Sequence, residues 1–270
     1  MDERRFPGDP RPVYVAERPG RVLCHDHGAL RVTTPGQADR WVPLRHVSRL
    51  VVPEACPLDW PLVVACARRG IPVVVQDQDG GALLRVVGTG WMDTGLRRRL
   101  MDLTADIDWA EKLLTWRDAN RSRIDAILRR RLKAPARCHT HAGLLQWVAA
   151  RAEMLAGPAE AHRSQRHLYT FCLARMQETL MAHGIDASGE SWLVDDVDLC
   201  TVLSDLLAWQ LQPLRLGLLK ARAHAARAEH RLSPLRYRDL VRRFERHHSR
   251  VDRTTRDLLN RLNRWLVELA

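Results

Sequence analysis

Short apolar stretches separated by turn-forming residues fill the beginning of the chain. Valine, leucine, tyrosine and tryptophan are concentrated in each stretch, and proline, glycine and aspartate lie between them. Segments of this length, rich in β-branched and aromatic residues, are typical of β-strands joined by turns. The predicted strands comprise residues 13–15, 21–23, 30–32, 41–44 and 50–52.

One helix and two further strands complete this N-terminal pattern. Residues 58–69 (LDWPLVVACARR) have helical character, and Gly70 provides a stop signal. Residues 71–75 are wholly apolar and mostly β-branched, which predicts a buried strand. The glycines at positions 80 and 81 then predict a turn into a strand at residues 82–87.

After Gly90 the chain has the periodicity of helices. Residues 96–132 are predicted to form one long helix or two, with Pro135 as the stop signal. Further helices are predicted at residues 144–155, 162–183 and 197–222. The sequence therefore predicts an α+β protein, with a β-rich domain at residues 1–90 and a larger all-α domain at residues 91–270.

Two amphipathic segments near the end of the sequence combine an apolar stripe with an arginine-rich face. Such stripes are predicted to lie in the core. The first stripe comprises Tyr237, Leu240, Val241 and Phe244, beside Arg242, Arg243, Arg246 and Arg250. The second comprises Leu258, Leu262, Trp265, Leu266 and Leu269, opposite Arg256, Arg261 and Arg264.

Positive charge is concentrated in the helical part of the chain. The formal net charge is +11, and lysine occurs only at positions 112, 133 and 220, so arginine supplies most of it. Residues 1–95 hold 12 arginines and 11 acidic residues, whereas the remainder holds 31 basic and 21 acidic residues. This distribution favours binding of a polyanion such as nucleic acid by the helical domain. A solvated arginine-rich surface without a ligand is the alternative.

Cysteine spacing and hydropathy indicate an intracellular setting. The six cysteines include no CxxC pair, which favours free thiols over a metal site or a disulfide framework. No apolar run approaches the roughly 20 residues that span a bilayer, and the N-terminal residues lack a signal-peptide core. We therefore expect a cytoplasmic protein with no membrane partner.

Residues 42–88 resemble the CRISPR-associated integrase family, Cas1. Members of that family share an order of strand, polar turn, strand, a helix ending in a "GIPV" junction, strand, glycine turn and closing strand. Residues 68–73 (RRGIPV) fit that junction. The helical part resembles the family more weakly, and Gly184-Ile185-Asp186 matches the beginning of its "GLDP" turn, with Ala187 in place of proline. The resemblance implies dimerisation through the β-rich domain and DNA binding through the helices.

The resemblance also implies positions for a catalytic metal site. Family members place a glutamate in a helix reading "LxGxEGxAARxY", and residues 144–151 share its Ala-Ala-Arg, which puts Gln146 at the glutamate position. The family histidine falls near Leu193. The acidic motif "DLMExFRP" resembles residues 205–213, where Asp205 keeps the first acid and Ala208 takes the second position. Carboxylate ligands hold the Mg²⁺ or Mn²⁺ that such chemistry needs, so one remnant acid predicts loss of catalysis.

Alternative ligands are present elsewhere in the helical part. Glu153 or Glu160 is available in place of Gln146, and His162 or His167 in place of the missing histidine. A site built on Asp205 and Glu153 is therefore the alternative to no metal site. Asp195, Asp196 and Asp198 form a further candidate cluster, for which a solvated helix N-terminus is the expected explanation.

Three functions follow from these observations. The first is a DNA-binding, integrase-like subunit of CRISPR spacer acquisition that lacks catalytic activity, and for this function we expect no cofactor. The second is an active endonuclease or integrase using Mg²⁺ or Mn²⁺ on relocated ligands, and the third is a non-catalytic interaction scaffold. The expected partners are double-stranded DNA (a prespacer or CRISPR repeat), a second copy or an active integrase, and Cas2. The residues predicted to contact DNA are Arg117, Arg121, Arg151, Arg242, Arg243 and Arg246.

The sequence leaves RNA open as an alternative ligand, because aromatic side chains can stack on unpaired bases. The tryptophans considered for this role are Trp192, Trp209 and Trp265, for which a place in the core is the expected alternative.

Overall fold

The computed structural model of the protein describes residues 10–86, 95–185, 193–194, 197–229 and 236–269. Within these ranges a strand-rich N-terminal region precedes a mostly helical region, which confirms the predicted α+β class. The predicted domain boundary near residue 90 lies outside the described residues. The described helices include none with the length and apolarity that crossing a membrane requires.

The strand-rich region agrees closely with the predicted pattern. Its helix, α1, comprises Trp60–Arg68, and a turn of 3-10 helix at Leu44–His46 precedes the longest strand. The strands are β1 (Arg11–Tyr14), β2 (Val22–Asp26), β3 (Ala29–Thr33), β4 (Arg40–Pro43), β5 (Val47–Pro53), β6 (Val73–Gln76) and β7 (Ala82–Val86).

These strands form two sheets. The first has the order β1-β5-β6-β7, in which β1, β5 and β6 run parallel and β7 runs antiparallel to β6. The second is the antiparallel sheet β2-β3-β4. Strand β5 (VSRLVVP) is buried at every position except Ser48, as expected for a central strand covered on both faces.

Helix α1 begins and ends at residues with defined capping roles. The Asp59 side chain accepts a hydrogen bond from the backbone N–H of Leu62 at 2.8 Å and another from that of His25. Gly70 follows the helix with a φ of +65°, which a residue with a side chain rarely adopts. Leu62, Ala65 and Cys66 then pack into the core between the two sheets and the helix.

The remaining chain is almost entirely helical where it is described. A two-stranded sheet of β8 (Leu193–Val194) and β9 (Val197–Asp198) interrupts the helices. The helices are α2 (Gly95–Thr104), α3 (Trp109–Leu132), α4 (His141–Ala156), α5 (Pro158–Ala182), α6 (Leu199–Gln210), α7 (Gln212–Glu229), α8 (Tyr237–Arg246) and α9 (His248–Leu269).

Two details of the helical prediction need correction. The single helix predicted at residues 197–222 was wrong, because α6 ends at Gln210 and α7 begins at Gln212. Pro213 has no N–H to donate to the Trp209 carbonyl, so a continuous helix loses a hydrogen bond there. The predicted burial of Leu269 was also wrong, since its side chain is 46% exposed at the end of α9.

Helix α5 joins the two regions of the molecule. Ala174 packs with Val51 of β5 and Val74 of β6 in a fully buried cluster, so this helix covers one face of the four-stranded sheet. The same helix packs against α4 and α6 on its other sides. The five consecutive residues 170–174 of α5 are all buried, so the helix is covered on several faces.

A buried polar network crosses the same junction. Arg49 of β5 forms ion pairs with Glu178 of α5 and, at 2.9 Å, with Glu245 of α8. The Tyr14 hydroxyl donates to Glu245 at 2.7 Å and accepts from Arg49 at 2.9 Å. Burial disfavours ionisation of Glu178, but Arg49 and Arg175 more than offset that effect and lower its pKa. The junction therefore holds a buried cation whose charge is matched by two carboxylates.

Candidate nucleic-acid interface and adjoining cavity

The arginines predicted to contact DNA lie on three helices. Helix α3 carries Arg117 and Arg121, helix α4 carries Arg151, and helix α8 carries Arg242, Arg243 and Arg246. The side chains at positions 151, 242 and 246 are exposed, whereas those at 117, 121 and 243 are partly buried. Exposed guanidiniums are available to phosphates, and the partly buried ones already have protein neighbours.

Asp205 lies on α6 within the field of two α3 arginines. Solvent reaches its side chain, yet the surrounding protein removes enough hydration to raise its pKa, while Arg121 and Arg117 oppose that rise. Both arginines also form ion pairs with Asp118, at 3.3 and 2.9 Å respectively. A divalent cation at Asp205 would therefore meet two positive groups, so these surroundings do not fit Mg²⁺ or Mn²⁺.

Gln146 is an exposed residue of α4. The neighbouring positions Leu145, Val148, Ala149 and Glu153 line a cavity between helices, but Gln146 does not. Residues 145, 149 and 153 follow one another at intervals of about one turn, and position 146 lies about 100° around the helix from position 145 but only about 20° from position 153. Gln146 therefore borders the cavity-lining face of α4 without lining the cavity itself.

That cavity, hereafter the Arg215 cavity, has a volume of about 200 Å³. It lies where α4, α5, α6 and α7 meet, and its mouth is open to solvent. Leu145, Val148, Ala149, Glu153, Pro158, Ala161, His162, Gln165, Trp209, Gln212 and Arg215 line it.

Arg215 is held in place by neutral groups. Its side chain donates to the Ser164 hydroxyl at 2.9 Å, to the Gln212 side-chain oxygen at 2.9 Å and to the Ala161 carbonyl at 2.6 Å. Gln212 in turn donates to the Gln165 side-chain oxygen at 2.9 Å. These hydrogen bonds fix the orientation of the guanidinium between α5 and α7.

No carboxylate in the described part of the chain forms an ion pair with Arg215. The residue is only 6% exposed, and burial lowers its pKa to about 10. It remains protonated at neutral pH. Keeping a buried charge without a counter-ion costs roughly several kcal/mol, even after relaxation of its surroundings. The fold thus maintains an uncompensated cation beside a solvent-open cavity.

A buried aspartate links α3, α4 and α6 close by. Asp125 accepts a hydrogen bond from the Trp209 indole at 2.6 Å and lies 3.1 Å from the His141 ring nitrogen Nδ1. The His141 ring also contacts Trp209 edge-on, with 5.3 Å between ring centroids. Sequence reasoning missed this arrangement, although the buried helical face shared by Asp125, Ile124 and Leu128 carried a signal for it.

The alternative ligands from the sequence are dispersed. Glu153 and His162 both line the Arg215 cavity, whereas Glu160 pairs with Arg163 at 3.4 Å. His167 is buried against Phe171 and Tyr237, and burial lowers its pKa to about 4. Across the described ranges, no three His, Cys, Asp or Glu side chains are grouped closely enough to hold a metal ion together.

Asp198 has the helix-capping role expected of the acidic cluster, but it is buried and not solvated. It accepts a hydrogen bond from the backbone N–H of Cys200 at 2.9 Å at the start of α6, and it pairs with Arg85 of β7 at 2.7 Å. Asp195 and Asp196 lie outside the described residues, and at Leu193 only the backbone strand is described.

The core assignment of two tryptophans is confirmed. Trp209 is 8% exposed, and Trp265 packs beside Trp116 with ring centroids 5.9 Å apart. Trp192 lies outside the described residues. All six cysteines are free thiols, as predicted.

These features define the class of the protein: a strand-rich region joined to a basic helical region by one central helix. The sequence model of the family described as CRISPR associated protein Cas1 matches residues 13–150. The chain therefore belongs to the Cas1 family, as the resemblance of residues 42–88 predicted. A comparison with curated protein sequences finds no significant match.

Solved structures of Cas1 proteins share this fold. A Cas1 protein from Thermotoga maritima, TM1797, is 12% identical with a TM-score of 0.71, over 95% of this chain and 97% of that one. The TtCas1–DNA complex is 14% identical with a TM-score of 0.62, over 93% and 91% of the two chains. A chain of a Cas6-RT-Cas1–Cas2 complex is 13% identical with a TM-score of 0.59, over 96% of this chain and 34% of that one.

Proposed function

We propose that this chain is a DNA-binding, integrase-like subunit of CRISPR spacer acquisition that lacks metal-dependent catalysis. The observation that carries the proposal is the environment of Asp205, the one acid retained at a family motif position. Two arginines, Arg121 and Arg117, act on it where a catalytic metal site needs further carboxylates. Asp205 then helps to hold basic side chains for DNA and does not bind a metal.

Exposed arginines support the DNA-binding part of the proposal. Arg151, Arg242 and Arg246 are solvent-exposed, and the region that carries them holds most of the net positive charge. Contacts between arginine and phosphate release counterions and depend little on base sequence. TtCas1, which shares this fold, has been solved in a complex with DNA. We therefore propose double-stranded DNA, as a prespacer or a CRISPR repeat, as the ligand.

The proposed protein partners are a second copy or an active integrase, and Cas2. A chain with the same fold occurs in a Cas6-RT-Cas1–Cas2 complex. Dimerisation through residues 1–90 is supported by β7, an edge strand of the four-stranded sheet. Leu83 and Leu84 of that strand are 56% and 54% exposed, so the edge offers both unpaired backbone groups and apolar surface.

DNA affinity as a function of salt tests the binding proposal. Wild-type protein should bind duplex DNA with an affinity that falls steeply as salt rises. The Arg242→Gln/Arg246→Gln double variant should lower the slope of log affinity against log salt by roughly 2, because two phosphate contacts are lost. The matched control is Arg253→Gln/Arg256→Gln, which changes two exposed arginines of α9. An affinity that does not change between low and moderate salt would contradict the proposal.

A second candidate function is an active Mg²⁺- or Mn²⁺-dependent integrase with relocated ligands. The observation that favours it is the presence of Glu153 and His162 on one cavity. Strand transfer by the purified protein with Mn²⁺, lost in Asp205→Ala or Glu153→Gln, would establish this function and overturn the first. Retained DNA binding without strand transfer supports the first.

A further inference from the structure

We propose that the Arg215 cavity binds the terminal phosphate of a DNA strand. The proposal rests on the DNA-binding function proposed above and assigns that function a specific subsite. Its starting point is the imbalance of charge at Arg215, which is nearly as buried as Arg49 but has no carboxylate partner in the described part of the chain. A ligand that brings negative charge into the cavity would remove that imbalance.

The donors at the cavity suit an anion. A guanidinium carries five N–H groups, and three of those on Arg215 meet protein acceptors, so two remain for a ligand or water. Gln165 uses its side-chain oxygen to accept from Gln212, which leaves its amide N–H groups as the part that can meet a ligand. His162 lines the same cavity and adds a further ring N–H.

Phosphate matches this donor set. The planar fork of an arginine binds two oxygens of a phosphate at once, and its orientation here is already fixed by neutral groups. Glu153 is the one acid among the lining residues. Its carboxylate is exposed on α4, where water weakens its repulsion of an incoming anion. The remaining wall, formed by Leu145, Val148 and Trp209, is apolar and suits a sugar or base edge.

The size of the cavity selects the end of a strand. Its volume of about 200 Å³ lies below the roughly 300–1,000 Å³ of pockets that enclose drug-sized ligands, so it is far too small for a segment of duplex. Arg215 is 6% exposed, so a phosphate held within an intact double helix cannot approach it closely. A phosphate at a free strand end can enter alone, with the duplex lying outside on the basic surface.

Binding assays with matched DNA ends test this proposal. The probes are one duplex with 5′-phosphate ends, the same duplex with 5′-hydroxyl ends, and a covalently closed duplex without ends. Wild-type protein should prefer phosphorylated ends by about tenfold, the size of one charge-assisted interaction. Arg215→Gln should abolish that preference and bind the closed duplex as wild type does. Arg253→Gln, on the exposed face of α9, should keep the preference.

A second variant covers the case in which Arg215→Gln does not fold. Gln165→Leu removes an amide donor from a half-buried position and should reduce the preference about threefold, since a neutral hydrogen bond is weaker than a charged one. Its folding is checked by thermal unfolding.

Three other outcomes would each contradict either the strand-end proposal or the DNA-binding function. Equal binding of phosphorylated and hydroxyl ends by wild type overturns the strand-end proposal and leaves salt-dependent DNA binding intact. Competition by inorganic phosphate or a mononucleotide as strong as that of phosphorylated DNA assigns the cavity to a free phosphate compound and overturns the strand end as its ligand. Failure of every duplex to bind at low salt overturns the DNA-binding function itself.

Discussion

Arg49, at the junction of sheet and helices, and Arg215, beside the inter-helix cavity, are about equally buried, at 4% and 6% exposure. Arg49 meets Glu178, Glu245 and the Tyr14 hydroxyl, and these groups raise its pKa although burial alone would lower it. Arg215 meets a hydroxyl, an amide oxygen and a carbonyl, and burial lowers its pKa to about 10. A buried arginine therefore stabilises the fold at one place and leaves charge available for a ligand at the other.

The largest expected effect follows from replacing Arg49, the buried arginine that forms ion pairs with two carboxylates. Arg49→Met removes the cation that Glu178 and Glu245 share, so Glu245 loses its arginine partner while Glu178 keeps its ion pair with Arg175 at 2.9 Å. Breaking a buried pair in this way should lower the free energy of unfolding by about 3–5 kcal/mol. Urea unfolding measures it, and the exposed Arg253→Met, changing stability by no more than about 0.5 kcal/mol, is the control. A loss below about 1 kcal/mol would show that the carboxylates do not depend on Arg49.

Acid should lower the stability of the folded protein through His167, a buried residue of α5. Burial and the nearby Arg163 lower the pKa of His167 from 6.5 to about 4, against a smaller opposite effect of Asp77. Between pH 6.5 and 4 the unfolded chain thus binds a proton that the folded chain does not. Stability should fall by about 1.4 kcal/mol per pH unit over this range, or roughly 3 kcal/mol in all.

His167→Gln isolates this contribution from the other groups that titrate in acid. The difference in unfolding free energy between variant and wild type should shift by that amount from pH 7 to pH 4. The control variant is His224→Gln, at an exposed position of α7. A difference that stays constant with pH would mean that His167 has the same pKa in the folded and the unfolded protein.

The Tyr14 hydroxyl is a further member of the polar network around Arg49. Tyr14→Phe keeps the edge-on packing against Phe171, with ring centroids 5.0 Å apart, and removes the hydrogen bond to Glu245. Stability should fall by about 1.5–3 kcal/mol, the usual range for hydrogen bonds to charged groups. Urea unfolding of single variants and of Tyr14→Phe/Glu245→Gln forms a double-mutant cycle. Strict additivity would argue that the two groups act independently.

The smallest expected effect follows from replacing Arg215, the buried arginine that has no carboxylate partner in the described part of the chain. Arg215→Met removes a costly buried charge but leaves the Ser164 hydroxyl and the Ala161 carbonyl with fewer partners. These opposing changes should leave the unfolding free energy within about 1 kcal/mol of wild type. A loss as large as that of Arg49→Met would remove the distinction between the two sites and give Arg215 a structural role.

Sequence patterns predicted the architecture better than the polar interior. The strand at residues 50–52 and the buried strand at residues 71–75 were predicted from their apolar residues, and the stripes of α8 and α9 predicted most of their core faces, because burial of apolar residues follows local periodicity. The break between α6 and α7 was not predicted, although Pro213 carried the signal for it. The partners of Arg49 were not predicted either, since Glu178 and Glu245 lie 129 and 196 positions away in the chain.

The candidate site was predictable only in outline. A motif match placed Gln146 at a family position, but a match cannot tell which residues of α4 line a cavity shared with three other helices. Arg215 is one arginine among many in a basic sequence, and its hydrogen bonds to neutral groups depend on the packing of α5 against α7. The roles of Gln146 and of the predicted DNA-contacting arginines remain predictions.

Helix α5 gives the molecule a mechanical property of its own. Ser164 near its beginning holds Arg215, and Glu178 near its end holds Arg49, so the two sites are about 21 Å apart along one continuous rod. A helix of this kind resists bending over a few turns. If α5 shifts or rotates when a ligand binds in the Arg215 cavity, the movement therefore also reaches the face of the four-stranded sheet where Ala174 packs against Val51 and Val74.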